Sequence, residues 1–265
     1  PQNNSYSTLF AKTFDDYGLI SIMYHRFNES KYPSTNLELN IFKEQLKIIE
    51  NEGIKFIHPR KFKENLYENK KERKILLTID DGLLSFYQNA WPILKKKKIP
   101  FILFVNTREV GAFNYMNWSQ ILELHDADHV EIGNHSHSHE YLVDESPEII
   151  KKDILRSIEI FNEKLGKNSK FFSYPFGEFS EEFKKIIKEL GFEYAFGQHS
   201  GVIDETKDLW ELPRFPINEK YGELNRFKTL MKTLPLKYKK IIPQDKYLSQ
   251  SQNPPNVNIF FHENI

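Results

Sequence analysis

"ILLTIDDGLLSFYQNAWPILKKKKIPFILFVN", residues 75–106, decides how the chain is read. Two short apolar runs, "ILLTID" (75–80) and "FILFVN" (101–106), bracket "FYQNAWPILKKKK", a segment of helical period. Strand, helix and strand in that order make a βαβ unit, whose strands lie parallel. The same alternation continues outward through "LISIMYH" (19–25), "VEIGNH" (130–135), "FFSYPF" (171–176) and "YAFGQ" (194–198). Between the later runs, Ile150, Ile154, Ile158, Phe161 and Leu165 share one helical face, opened by Ser146 and Pro147 and closed by Gly166. A second helix takes Ser180 as cap, Phe183, Ile186, Ile187 and Leu190 as stripe, and Gly191 as stop. The class is α/β, and so many strand–helix units predict a barrel or a wound sheet.

At 265 residues a single large domain is the simplest organisation. It is expected over residues 1–235. The remainder, 236–265, loses the alternation and carries a Pro-Pro turn, as expected of a closing strand or the start of a further region. Charge is balanced at 37 basic against 37 acidic residues, so nothing global points to nucleic acid or an anionic membrane. With no cysteine, thiolate metal sites, disulfides and a cysteine nucleophile are excluded, and any metal must be held by nitrogen and oxygen. No apolar run approaches the ~20 residues that cross a bilayer. The four lysines at 95–98 end a helix, where they meet its dipole and stay solvated.

In a parallel barrel the strand C-termini and the loops after them build the site. Asp80 and Asp81 end one strand, with Gly82 permitting the turn; "HSHSH" (135–139) follows another, "YPFG" (174–177) a third, and His25 ends the first. His135 and His139, four apart, can point the same way, whereas His137 points elsewhere. With one carboxylate they match the ligand group of hydrolytic zinc sites, which leaves positions open for water and substrate. Neighbouring side chains at a strand end diverge, so one aspartate can ligate metal while the other faces water. Trp118 and Trp210 are candidates for stacking on sugar rings or for the core.

"TIDDG", "HSHSH", "YPFG" and "LPRFP", with "MYHRF" near the start, resemble in order and spacing the motifs of the polysaccharide deacetylase family, carbohydrate esterase family four. The resemblance covers roughly residues 19–217 and implies a distorted (β/α) barrel. It implies an enzyme that removes N- or O-acetyl groups from polysaccharide or oligosaccharide with a divalent metal, Zn2+ or another such as Co2+ or Ni2+, and that is exported to the periplasm or the cell exterior. By resemblance Asp80 is the general base, and Asp81, His135 and His139 are the metal ligands. Tyr174, Pro175, Phe176 and Gly177 wall the groove, the Phe176 N–H facing the oxyanion. Ser173 stands where the family often has an arginine that orients the base, and Arg214 is expected to replace it. The family's general acid is a histidine after a late apolar strand, the place of His262 in "NIFFH"; His25 is a rival as a site-lining residue. Two other readings remain: a small-molecule amidase or deformylase on the same scaffold, and a catalytically silent carbohydrate-binding module.

Overall fold

The computed structural model describes residues 17–68 and 71–234. His262 and the segment 236–265 lie outside the described residues. The elements are β1 (Leu19–Tyr24), β2 (Arg26–Phe27), β3 (Asn36–Leu37), α1 (Leu39–Asn51), β4 (Lys55–Phe56), α2 (Phe62–Tyr67), β5 (Lys74–Ile79) and α3 (Trp91–Lys97). They continue with β6 (Phe101–Val105), α4 (Trp118–His125), β7 (Val130–Asn134), α5 (Pro147–Leu165), β8 (Phe171–Ser173) and α6 (Glu181–Glu189). The last described are β9 (Tyr194–Phe196), β10 (Val202–Ile203), β11 (Phe215–Pro216) and α7 (Leu224–Leu230).

Strands β1, β5, β6, β7, β8 and β9 pair in that order, all parallel, and β10 adds to β1 antiparallel. The sheet curls until its two sides are joined by one short segment. Leu212 bridges to Phe196 on β9, and Phe215 and Pro216 pair with Ile22 and Met23 on β1. Residues 212–216, "LPRFP", are therefore the seam of a distorted barrel.

Period-two alternation sorts the buried strands into two packings. Ile75, Leu77, Ile79, Phe101 and Leu103 face the helices, where they meet Phe42, Leu46, Trp91 and Ile121. Leu76, Ile102, Phe104, Phe171 and Phe196 face inward with Leu212, and Phe62 and Leu66 of α2 join them. The same parity carries Thr78 and Asp80 inward above Leu76, and Arg214 inward after Leu212. A third cluster packs α5 and α6 on Phe172 and Ala195.

The predicted helix signals appear at their expected residues. Ser146 and Ser180 accept the N–H groups of Ile149 and Phe183, and Gly166 and Gly191 take positive φ. The helix expected over "FYQNAWPILKKKK" begins as a wider π-type turn at Phe86–Ala90, because Pro92 supplies no N–H to the ladder. Lys95 and Lys97 pair with Glu123 and Glu50 on the surface. The strand expected over 171–176 stops at Ser173, since Pro175 cannot donate to a ladder and Phe176 turns at φ 57.

Gly133 faces Phe104 across the sheet, and a Cβ there would lie 2.3 Å from Phe104 Cδ1 and 2.9 Å from Ile102 Cγ2. Gly133→Ala is expected to destabilise the protein by about 1–3 kcal/mol through overpacking. Denaturant unfolding checks this: an unchanged midpoint would show that the ring has room to move.

Candidate active site

Asp80 and Arg214 are both fully buried. The guanidinium grips the carboxylate with both arms, Nη1 donating to Oδ1 at 2.7 Å and Nη2 to Oδ2 at 2.8 Å. Ser173 completes the arrangement: its hydroxyl donates to Asp80 Oδ2 at 3.1 Å and accepts from Arg214 Nη2 at 2.8 Å. Arg214 Nε donates to the Gly197 carbonyl, and its guanidinium carbon lies 5.5 Å from the centre of the Phe104 ring. Serine at 173 reaches the aspartate but carries no charge, and the guanidinium comes to it from the seam instead. Burial alone would push the Asp80 carboxyl up, but Arg214 and then His135 outweigh it and hold its pKa below the usual carboxylate range.

Asp81 follows at φ 75, a left-handed turn that swings its carboxylate out of the strand's alternation and toward the histidines. Its Oδ1 lies 3.5 Å from both His135 Nε2 and His139 Nε2. Ligands about 2.0–2.1 Å from a tetrahedral ion stand about 3.3–3.4 Å apart, so these spacings fit a metal. Asp81 Oδ1 is moreover buried without a hydrogen-bond partner, a costly condition for a carboxylate oxygen that a cation would relieve. Among the described residues, Asp81, His135 and His139 are the group whose donor atoms converge in this way.

The second nitrogen of His135 is held as well, Nδ1 lying 2.7 Å from the Ser173 carbonyl oxygen. That carbonyl can only accept, so Nδ1 carries the proton and Nε2 presents its lone pair to the centre. Burial, reinforced by His135, pulls the His139 pKa down to about 4, leaving a neutral imidazole fit for ligation. His139 takes φ 55 and its ring packs 4.9 Å from Phe176. His137 turns away to Thr107 Oγ1 at 2.8 Å.

His25 ends β1 half-buried, and its pKa is lowered by burial against the opposing fields of Asp81 and Asp80. Tyr174, Pro175 and Gly177 are buried in the turn that exposes Phe176, and Tyr174 donates its hydroxyl hydrogen to the Trp210 carbonyl. The tryptophans serve packing: Trp118 lies against the main core, and Trp210 donates its indole N–H to the Phe192 carbonyl. The exposed rings beside the centre are instead Phe176 and Tyr141, 5.6 Å apart. Sequence reasoning passed over Tyr141 and the double role of Ser173. The first could have been sought two residues after His139; the second had no signal beyond a missing arginine.

A family model described as polysaccharide deacetylase matches residues 67–195, the stretch that holds Asp80, Asp81, His135, His139 and Ser173. Over that stretch, just under half of its length, the chain is similar to the polysaccharide deacetylase family. Arg214 lies beyond the matched stretch. Poly-beta-1,6-N-acetyl-D-glucosamine N-deacetylase of Staphylococcus epidermidis is 26% identical over 205 residues, 72% of this chain and 69% of that one. The enzyme of the same name from Staphylococcus aureus is 28% identical over 195 residues, 67% and 66% of the two chains. Among solved structures, IcaB from Ammonifex degensii superimposes with a TM-score of 0.75 at 25% identity, covering 83% of this chain and 99% of that one. The likeness in fold thus extends well beyond the stretch that the family model matches.

Zn2+ at a hundredfold excess over its dissociation constant is expected to stabilise the fold by about 2.7 kcal/mol, read as a rise in melting temperature. His139→Ala should remove most of that rise. An equal rise in the variant would show that the ion binds elsewhere.

Proposed function

We propose that the chain is a metal-dependent N-deacetylase acting on a polymer of N-acetylated sugar, of the poly-β-1,6-N-acetylglucosamine kind named for its staphylococcal relatives. One observation carries the reading. Asp80, clamped by Arg214 and Ser173, sets its Oδ2 3.8 Å from His135 Nε2, at the edge of the Asp81–His135–His139 triad. A carboxylate held ionised beside a set of metal ligands is the pairing that hydrolysis of an unactivated amide requires.

Asp81, His135 and His139 would hold the ion, which we take to be zinc, with cobalt or nickel able to replace it. When bound, a divalent ion supplies Lewis acidity, polarising a carbonyl and acidifying water. Asp80 Oδ2 takes the proton as water oxygen attacks the acetyl carbon, and the two guanidinium bonds keep the carboxylate from turning away. The hydrogen bonds of the 174–178 turn use the N–H groups of Gly177 and Glu178, which frees the Phe176 N–H for the developing oxyanion. Such a donor is worth about 3 kcal/mol. The C–N bond then breaks, acetate leaves, and the sugar nitrogen needs a proton. We assign that proton to His25, which follows β1 and whose pKa burial lowers against the fields of Asp81 and Asp80. Phe176 and Tyr141 offer aromatic faces to the sugar rings beside the reacting unit. We take the enzyme to be exported to the periplasm or the cell exterior; among the described residues no helix is long and apolar enough to cross a membrane.

Acetate release from N-acetylglucosamine oligomers, with metal content measured on the same protein, tests the proposal. Near-stoichiometric metal and release are expected in the wild type, with Asp80→Asn slower by about 10²–10⁴-fold. Arg214→Lys, which keeps charge but loses the two-armed grip, should lower kcat with little change in KM. Metal without acetate release from any glycan would move the activity to another amide or remove it altogether.

A further inference from the structure

His135 is the first residue after β7 and inherits the rigidity of the sheet; His139 stands at the far end of a loop. Between them the backbone departs from ordinary conformation twice, at Ser136 (φ 68) and at His139 (φ 55). Neither residue is glycine, so each turn must be held by its surroundings. The first strut is Asn134, whose Oδ1 accepts the Ser136 N–H at 3.0 Å. The second is Ser136, whose hydroxyl accepts the His139 N–H at 3.0 Å.

The middle of the loop is held from another element. Asp153, in the second turn of α5, accepts the His137 N–H on Oδ1 at 2.8 Å and the Ser138 N–H on Oδ2 at 3.0 Å. One turn further along the same helix face, Ser157 donates to Asn134 Oδ1 at 3.0 Å. From the opposite side Thr107 and Arg108 donate their backbone N–H groups to the carbonyls of Ser136 and His137. The loop is thus clamped between the extension of β6 and one face of α5. On its α5 side the N–H groups of His137 and Ser138 both rest on a single carboxylate.

We infer that Asp153 is a positioning residue of the metal centre, fixing the loop so that His139 Nε2 stays 3.5 Å from Asp81 Oδ1. The inference rests on the metal reading above. Without the carboxylate, Asp81 and His135 keep their places at the ends of β5 and β7, while His139 sits on a loop held on its β6 side only and is a less firmly placed third ligand. An ordinary loop cap would lower the stability of the metal-free protein instead; a positioning residue lowers metal affinity.

The experiment measures Zn2+ affinity by competition with a chromogenic chelator, alongside the melting temperature of the metal-free protein. Asp153→Ala is expected to weaken Zn2+ binding by about 10–100-fold, the usual loss for an outer partner of a metal ligand. Asp153→Asn retains one acceptor oxygen and should fall in between, and it carries the test alone if the alanine variant does not fold. Metal-free melting temperatures should stay within about 5 °C of wild type. Zinc affinity unchanged within twofold in the variants overturns the inference, as does a wild type that binds no zinc. No acyl substrate enters the measurement, so failure of the proposed deacetylation would leave its result standing.

Discussion

The arrangement depends on a buried ion pair. Moving a carboxylate and a guanidinium out of water costs several kcal/mol for each ion, and only close, fully bonded geometry offsets it. Asp80 and Arg214 meet that condition with groups from across the barrel: the end of β5, Ser173 at the end of β8, the Gly197 carbonyl after β9, and the seam that carries Arg214. The pair makes these elements mutually dependent, because displacement of any one leaves a charge in the interior without its partner. It also separates charge from reactivity. The positive member is sealed behind Phe104 and Phe196, and the negative member presents an edge to the histidines.

Around this rigid centre the residues that could hold a metal are delivered by strained backbone. Asp81, Ser136, His139 and Phe176 all take positive φ without being glycine, and all border the site. Such conformations cost of order 1–3 kcal/mol each and persist only where neighbours determine them. Here the neighbours can be named: the loop through Tyr115 pairs with Leu83 beside Asp81, Asp153 holds the histidine loop, and the Ser173 carbonyl fixes the His135 ring. The sheet supplies the positions, and the loops supply the directions.

Much of this was legible in the sequence, because buried parallel strands read as apolar runs and the helices carried ordinary caps. The expected strands generally ran past the observed ends, and the overshoot is informative. His25, Asp80, Asn106, His135 and Tyr174 were each read as strand yet lie just beyond the ladder, where side chains leave the sheet to build the rim. The convergence of Asp81, His135 and His139 and the contact of Arg214 with Asp80 were accessible from the resemblance in motifs. Asp153 was not, since a carboxylate next to the apolar stripe of an amphipathic helix has no signature until the loop it holds is in view. The rim aromatics were missed for a related reason: in a chain with 22 phenylalanines and 13 tyrosines, composition cannot tell an exposed ring from a packed one.

The seam also bears on the order in which the chain is made. Synthesis runs from the N-terminus, so Asp80, Asp81, both ligand histidines and Ser173 emerge from the ribosome before Arg214 exists. Until it does, the inner aspartate has no counter-ion, and the barrel is open between β9 and β1. A chain at that stage holds Asp81, His135 and His139 but lacks the guanidinium that pairs with Asp80. Closure of the barrel and pairing of Asp80 are therefore one event, brought about by residues 212–216, and an N-terminal fragment ending before them would be an unfinished barrel.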